Sequence, residues 1–99
     1  MVRHIVLWNF VEGLSDTDKK EAGQKMKELL EPIKELVPGA VKIEVLQNAQ
    51  PTSNREVALV SYFDTLCALL TYHNNTDHLV AGKYVRIVTC DRACMDYEY

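Results

Sequence analysis

Hydrophobic and polar residues are arranged along this chain in blocks, some with the period of a strand and others with the period of a helix. The segment Val2–Phe10 is almost entirely apolar or aromatic and rich in β-branched residues, which predicts a strand buried on both faces. Val57–Phe63 has the same character and predicts another buried strand, the third in chain order, at the centre of the sheet. Apolar residues alternate with Lys and Glu at positions 41–45, which predicts an edge strand, and positions 92–98 are the best candidate for a fourth strand.

A helix is predicted between the first strand and the edge strand. Ser15 is a suitable N-cap, and acidic residues follow it where the helix dipole favours negative charge. From position 22 to position 37 the apolar residues recur at the three- and four-residue spacing of one helical stripe. Pro32 lies inside this stripe and is expected to kink the helix or end its regular part, while the Pro-Gly pair at 38–39 stops it.

Helical spacing returns after the third strand. A second helix is expected to begin at Asp64 or Thr65, either of which can cap it, and to end near positions 74–75. Its predicted apolar face consists of Leu66, Leu69, Leu70 and His73. A further helix is predicted from about position 76, although residues 85–89 also fit a short strand. The apolar positions of this helix at helical spacing are Val80, Tyr84, Ile87 and Val88.

The order of the predicted elements is β-α-β-β-α-β, with an extra helical turn before the last strand. It predicts an α+β protein of ferredoxin-like fold, in which helices cover one face of a four-stranded antiparallel sheet. Residues 1–99 are expected to form a single domain. The first and third strands are too apolar on both sides for the uncovered face to lie in water, so a second copy should cover it. We therefore predict a symmetric homodimer formed through the open sheet face, a dimeric α/β barrel.

Composition and charge exclude several classes of function. The net charge is −3 and the 11 Lys and Arg residues are scattered along the chain, so no nucleic-acid partner is expected. Cys67, Cys90 and Cys94 are odd in number and lack the spacing of a zinc site, so we interpret them as reduced thiols. No segment has the pattern of a signal peptide or the apolar length of a membrane span, which predicts a cytoplasmic protein without a membrane partner.

A few polar residues are candidates for chemistry, whereas the four glycines form neither a phosphate-binding loop nor a dinucleotide motif, so no cofactor is expected. Strand alternation places His4 among large apolar side chains. A neutral histidine such as His4, His73 or His78 can act as acid or base near neutral pH, and the Tyr72 hydroxyl can polarise a carbonyl oxygen. The alternative is that these residues are structural.

A metal site formed by His4, His73 and His78 is geometrically conceivable, but the spacing lacks the i, i+4 pattern of zinc-binding helices, and no metal is expected. The acidic residues near the C-terminus are interpreted as solvated or paired surface charges: Asp91, Asp96 and Glu98.

Several segments of the chain, taken in order, resemble the stress-responsive A/B barrel family. HIVLWNF at 4–10 is similar to the opening strand of that family, and LVPGAVKIEV at 36–45 to its helix-to-strand turn. VALVSYFDTL at 57–66 and YHNNTDHLV at 72–80 resemble its third strand, its second helix and its Tyr-x5-His signature. MDYE at 95–98 resembles its closing strand. The order and spacing of these segments make the resemblance specific.

The resemblance implies a homodimeric α+β barrel with a pocket between sheet and helices for a small apolar or aromatic ligand. Most members have no established activity, and a few resemble plant polyketide cyclases. In those enzymes residues at the positions of His78 and Tyr72 carry an aldol-type ring closure, with a further pocket histidine at the position of His4. A cofactor-independent cyclase, lyase or oxygenase is therefore the alternative to a binding protein. This chain departs from the common His-Pro-x-x-His form because it has Asn-Thr at 75–76.

Overall fold

The computed structural model describes residues Met1–Tyr99 and contains four strands and three α-helices. The strands are β1 (Val2–Phe10), β2 (Ala40–Leu46), β3 (Val57–Phe63) and β4 (Thr89–Glu98). The helices are α1 (Asp16–Leu30), α2 (Leu66–Asn74) and α3 (Thr76–Val88), with a 3-10 helix at Glu31–Leu36. None of these helices has the length and apolar character needed to cross a bilayer. The predicted ferredoxin-like α+β fold is confirmed, and the predicted extra helical turn is a full helix, α3.

The four strands form one antiparallel sheet in the order β2-β3-β1-β4. The predicted edge position of β2 and central position of β3 are confirmed. Even-numbered residues of β1 and odd-numbered residues of β3 are buried, and the residues between them are partly or fully exposed. In the single chain these strands are therefore buried on one face only, and the predicted burial of the other face depends on the second copy. We call the buried side the covered face and the other side the open face.

The hydrophobic core lies between the covered face and the helices. Its largest apolar side chains, each less than 2% exposed, come from β1, β3, α1, the 3-10 helix and α2: Val6, Phe63, Met26, Ile33, Leu69 and Tyr72. The sequence starts α1 as predicted, because the Ser15 hydroxyl accepts a hydrogen bond from the Asp18 N–H at 3.1 Å. The Asp18 carboxylate accepts one from the Ser15 N–H in return, which completes a capping box.

Helix α1 ends at Leu30, and the segment that contains Pro32 continues as a 3-10 helix rather than as a kinked α-helix. Glu31 stands at the junction. Its carboxylate accepts a hydrogen bond from Lys27 at 2.7 Å and another from the backbone N–H of Val45 at 3.0 Å. This second bond satisfies a donor on the outer side of the edge strand β2, which would otherwise be unpaired.

The predicted apolar faces of the last two helices are right only in part: Leu69 of α2 is buried, and Tyr84 and Val88 of α3 pack against the core while partly exposed. Helix α2 buries Ala68, Leu69 and Tyr72, whereas Leu66 and Leu70 are exposed. Helix α3 buries Ala81 and Val85, whereas Val80 and Ile87 are exposed. Both predictions followed the most hydrophobic residues. The residues that are buried are instead those on the side of each helix that faces the sheet, and they include Ala68, Tyr72 and Ala81.

The boundary between α3 and β4 also differs from the prediction. The helix continues to Val88, which resolves the ambiguity over residues 85–89, and β4 begins at Thr89 rather than at position 92. The Thr89 hydroxyl donates to the carbonyl oxygen of Val85 at 2.6 Å at the point where the chain leaves the helix. All three cysteines are free thiols, in agreement with the interpretation of the sequence.

Replacing Trp8 with Ala is expected to lower the free energy of unfolding by roughly 3–5 kcal/mol, because Trp8 lies on the covered face and is only 6% exposed. Ile87→Ala, at a side chain that is 71% exposed, is the matched control and should change stability by no more than about 0.5 kcal/mol. Urea unfolding of both variants measures the difference. A Trp8→Ala variant as stable as the control would contradict the assignment of Trp8 to the core.

Candidate functional site

A cavity of about 270 Å³ lies on the covered face, between strands β1 and β4 and helix α3. Its apolar wall is formed by Val6, Trp8, Leu30, Leu59 and Val85. Its polar side is formed by His4, His73, His78, Arg86 and Arg92, with Gly82 between them. The candidate site is therefore an apolar pocket with imidazole and guanidinium groups along one side.

A larger depression of about 580 Å³ lies elsewhere, at the end of β1 and against the loop 49–56. Its lining contains no histidine, and the ammonium of Lys19 is paired with the carboxylate of Glu56 at 2.8 Å. This ion pair, together with a hydrogen bond to the Phe10 N–H, lowers the pKa of Glu56. The main charged pair of this depression is satisfied within the protein and no histidine faces it, so the cavity with the histidines is the stronger candidate.

His4 lies on β1 and is held in position by a residue of β4. It is 2% exposed, and its Nδ1–H donates to the carboxylate of Asp96, which stands directly opposite on β4. The Cys94 thiol lies 3.7 Å from the same carboxylate and 3.8 Å from Nδ1 of His4. Asp96 was expected to be a surface charge, but it orients a buried imidazole and leaves Nε2 of His4 free of this contact.

A β-bulge decides which side chains of β4 reach the cavity. The pairing shifts by one residue between Leu7 and Asn9 of β1, and the extra residue on β4 is Asp91, with a φ of 53°. Because side chains alternate across a sheet, such a shift moves every following residue to the other face. It therefore places Arg92, Cys94 and Asp96 on the covered face.

His73 and His78 flank the turn between α2 and α3. Asn75 caps α3, because its side-chain oxygen accepts hydrogen bonds from the N–H groups of Asp77 at 2.9 Å and His78 at 3.2 Å. The two imidazoles are stacked, with ring centroids 5.7 Å apart. Nδ1–H of His78 donates to the carbonyl oxygen of His73 at 3.2 Å, which leaves Nε2 of His78 with its lone pair free.

Tyr72 lies behind the histidines and is fully buried. Its ring centroid is 4.3 Å from that of His78, 5.2 Å from that of Phe63 and 6.1 Å from that of His4. Its hydroxyl has no hydrogen-bond partner. Burial raises the pKa of this hydroxyl, so it is protonated at neutral pH and can donate a hydrogen bond but not act as a base.

Both half-buried histidines have lowered pKa values. Burial is the main cause for His73, and the positive charge of Arg92 and the nearby His4 add to it, against the opposing effect of Asp96. Burial is also the main cause for His78, and Arg86 and the other two histidines lower its pKa further, against the hydrogen bond to the His73 carbonyl. Both imidazoles are therefore neutral at pH 7.

The donor atoms of His4, Cys94 and Asp96 lie within 4.8 Å of one another, a spacing that a divalent metal could bridge. Nδ1 of His4 is already engaged with Asp96, and burial, followed by the charge of Asp96, raises the pKa of the Cys94 thiol. A protonated thiol and an occupied imidazole nitrogen favour a hydrogen-bonded cluster over a metal centre. In the conceivable site of His4, His73 and His78, the rings of His73 and His78 are stacked, and the three residues do not form a cluster of donor atoms close enough for a metal.

A comparison with known protein families identifies the family of this chain. The family described as the stress responsive A/B barrel domain matches residues 2–99. The chain belongs to this family. No curated protein matches the sequence.

Solved structures agree with the family assignment. A dimeric protein of unknown function and ferredoxin-like fold from Bacteroides fragilis is 33% identical, with a TM-score of 0.89 over 99% of this chain and 95% of that one. A family member from Mesorhizobium loti is 19% identical, with a TM-score of 0.72 over 99% and 95%. Hydroxynitrile lyase from Passiflora edulis is 16% identical, with a TM-score of 0.73 over 97% and 90%, and shares the fold.

The structure of this family member brings the predicted site residues together, although not all in the same way. His4 and His78 line the cavity, whereas Tyr72 contacts both imidazoles from behind and is not part of the lining. Their proposed catalytic roles stay predictions. Sequence reasoning missed Asp96, Arg86 and Arg92 as members of the site. Strand alternation indicates that Arg92 and Asp96 lie on the same face of β4. Which face that is depends on the bulge.

Stability is expected to fall as the pH is lowered from about 7.5 to about 5.5, a window above the range where carboxylates titrate. The unfolded chain keeps the ordinary histidine pKa of 6.5, whereas the folded pKa values of His73 and His78 are lower. The unfolded state therefore takes up protons first, and the free energy of unfolding decreases with falling pH. Urea unfolding at each pH measures this. The double variant His73→Asn, His78→Asn should lose most of the dependence; an unchanged slope would contradict the assignment.

Proposed function

We propose that this protein is a homodimeric small-molecule-binding member of its family, with the ligand in the cavity between sheet and helices. The observation that carries the proposal is the cavity itself, which combines an apolar wall with a few polar groups on one side. Ligand sites of proteins have this composition. At about 270 Å³, the cavity is near the small end of ligand pockets, so it suits a ligand with one or two rings.

The histidines support binding of a ligand with polar substituents. Nε2 of His78 can accept a hydrogen bond, because its Nδ1–H is committed to the His73 carbonyl. His4 is fixed by Asp96 and is buried. The neutral imidazoles of His73 and His78 are already partly buried, so hydrogen-bonding a ligand removes little further water from them.

The open face supports homodimerisation. Its side chains on β1 and β4 include Leu7, which is 38% exposed, and Met95, which is 65% exposed. Val60 and Tyr62 of β3 continue the same surface. A contiguous apolar sheet face of this kind marks an interaction surface. The similar protein from Bacteroides fragilis is described as dimeric, and a second copy of this chain is the partner that we propose.

One end of the open face holds an aromatic cluster around Arg3. The guanidinium lies 4.6 Å from the ring centroid of Tyr62, 4.6 Å from that of Tyr99 and 5.5 Å from that of Tyr97. Its Nη1 donates to the Tyr97 hydroxyl at 2.5 Å, whereas its buried Nε has no hydrogen-bond partner in the single chain. Tyrosine and arginine are enriched in interfaces, and an isologous partner can supply the missing acceptor.

A second candidate function is a cofactor-independent lyase or cyclase, and the buried Tyr72 hydroxyl favours it. In this proposal Nε2 of His78 removes a proton from carbon next to a carbonyl group. The Tyr72 hydroxyl donates a hydrogen bond to the oxygen on which the negative charge develops. Protonated His78 then returns its proton to the product. What supports this candidate is that the Tyr72 hydroxyl is unpartnered and that its ring packs against the neutral imidazole of His78. Because Tyr72 lies behind the lining of the cavity, the step requires the substrate oxygen to reach past the histidines.

The dimer is tested by changing the open face. The wild-type protein should sediment as a dimer at micromolar concentration. Met95→Glu should raise the dissociation constant by at least about a hundredfold, because burying an unpaired carboxylate costs roughly 3–5 kcal/mol. Ile87→Glu, which adds the same charge at a residue that is 71% exposed on α3, should leave the association unchanged. Analytical ultracentrifugation distinguishes the results. A folded wild-type monomer would refute the proposed dimer.

The cavity is tested with Gly82→Leu. The substitution adds a side chain on the wall of the cavity and replaces a glycine within a helix, so it should block binding without lowering the melting temperature. A thermal-shift screen of small aromatic compounds should give ligands for the wild type that do not shift the variant. Ligands that shift both proteins equally would bind elsewhere and contradict the proposal.

The same ligands separate the two candidate functions. Tyr72→Phe removes only the hydroxyl, so a binding protein should keep its affinity, whereas a lyase should lose turnover of an aldol-type substrate.

A further inference from the structure

We infer that the ligand of this cavity carries a carboxylate, which is bound by Arg86 of α3 and Arg92 of β4. The inference rests on the proposed function, because it names the chemical class of the ligand for the same cavity. Its starting point is that two guanidinium groups line a small, mostly apolar pocket from different elements.

Neither of these arginines has a carboxylate partner within the chain. The five ion pairs of the structure involve His4, Lys19, Lys27, Lys34 and Lys42, and none involves an arginine. The other two arginines have partners within the chain. Arg3 is surrounded by tyrosines, and Arg55 donates to the backbone carbonyls of Asp91 and Asn54. Arg86 and Arg92 are therefore the two arginines left available for an acid that the protein does not supply.

The charge of the cavity has one sign. None of its 11 lining residues is acidic. The nearest carboxylate, that of Asp96, accepts the hydrogen bond from His4 and lies 3.7 Å from the Cys94 thiol. The guanidinium groups of Arg86 and Arg92 lie beside the neutral imidazoles of His73 and His78 and give a positive local field, which favours an anion over a neutral ligand of the same shape.

The position of Arg86 is fixed more closely by Gly82, one helical turn earlier. A Cβ atom added to Gly82 would lie 3.2 Å from Nη1 of Arg86. The guanidinium thus lies over the glycine, on the wall that Gly82 itself contributes to the cavity. The absence of a side chain at Gly82 leaves room for the guanidinium to lie along the helix instead of extending into solvent.

A carboxylate fits this arrangement because a guanidinium can donate two parallel hydrogen bonds to its two oxygens. The second guanidinium, on β4, can contact the same group from the strand side. The apolar wall of Val6, Trp8 and Leu59 then receives the hydrocarbon part of the ligand. A small aromatic or alicyclic acid is the class that satisfies both sides of the cavity.

The test compares 2-naphthoate with its neutral isostere 2-naphthamide by isothermal titration calorimetry. Wild-type protein should bind 2-naphthoate roughly tenfold more tightly than the amide, the effect of one charge-assisted hydrogen bond in a partly exposed site. Arg86→Gln and Arg92→Gln should each remove most of this preference without weakening the amide. Lys83→Gln, on the same helix but outside the cavity, is the matched control and should keep the preference. Added salt should weaken binding of the acid alone.

Three results would overturn the inference, and they differ in whether the proposed cavity is refuted as well. Equal affinity for acid and amide, with both blocked by Gly82→Leu, would refute the carboxylate while supporting the proposed cavity. Binding of neither probe by the wild type, together with no ligand in the wider screen, would refute the proposed function and this inference with it. A preference for the acid that survives both arginine substitutions would also overturn it.

Discussion

The architecture depends on one constraint: side chains alternate across the sheet, and the helices of one chain cover only one of its two faces. On the covered face this alternation gives a core in which His4 follows the same pattern as Val6 and Trp8. On the open face it leaves apolar residues such as Leu7 and Met95 exposed. The core, the cavity and the proposed dimer interface are therefore consequences of the same alternation. Whether a substitution in a strand affects the core and cavity or the interface depends on which face of the sheet that residue lies on.

The cavity exists because the helices do not fully cover β4. Helix α3, the helix beside β4, buries only the small side chains Ala81 and Val85. Beyond them, the covered face continues onto β4 with the polar residues Arg92 and Asp96, which are exposed. Between the packed helices and this polar strand lies a space that is apolar on one side and charged on the other. A ligand can fill this space, which the side chains of the protein leave open.

Strand and helix order followed from periodicity, because each element buries a face with a regular repeat. The capping box at Ser15 and the edge position of β2 also have local signals. The stripes of α2 and α3 could not be predicted in the same way, since exposed leucines on both helices outscore the buried alanines. The face of β4 was hidden as well: it depends on Asp91 in a left-handed conformation, and the sequence around it contains no glycine to mark the bulge.

The charges around the cavity connect its two proposed uses. Burial and the guanidinium groups together favour the neutral form of His73 and His78, and a neutral imidazole is the form that can accept a proton. A bound carboxylate would neutralise part of that positive charge, so the basicity of the histidines should rise when the ligand is present. Recognition of an acid would then make His78 a stronger base in the occupied site than in the empty one. If the protein only binds its ligand, the same coupling has another consequence. Binding should then be accompanied by proton uptake when the pH is lowered toward the pKa of free histidine.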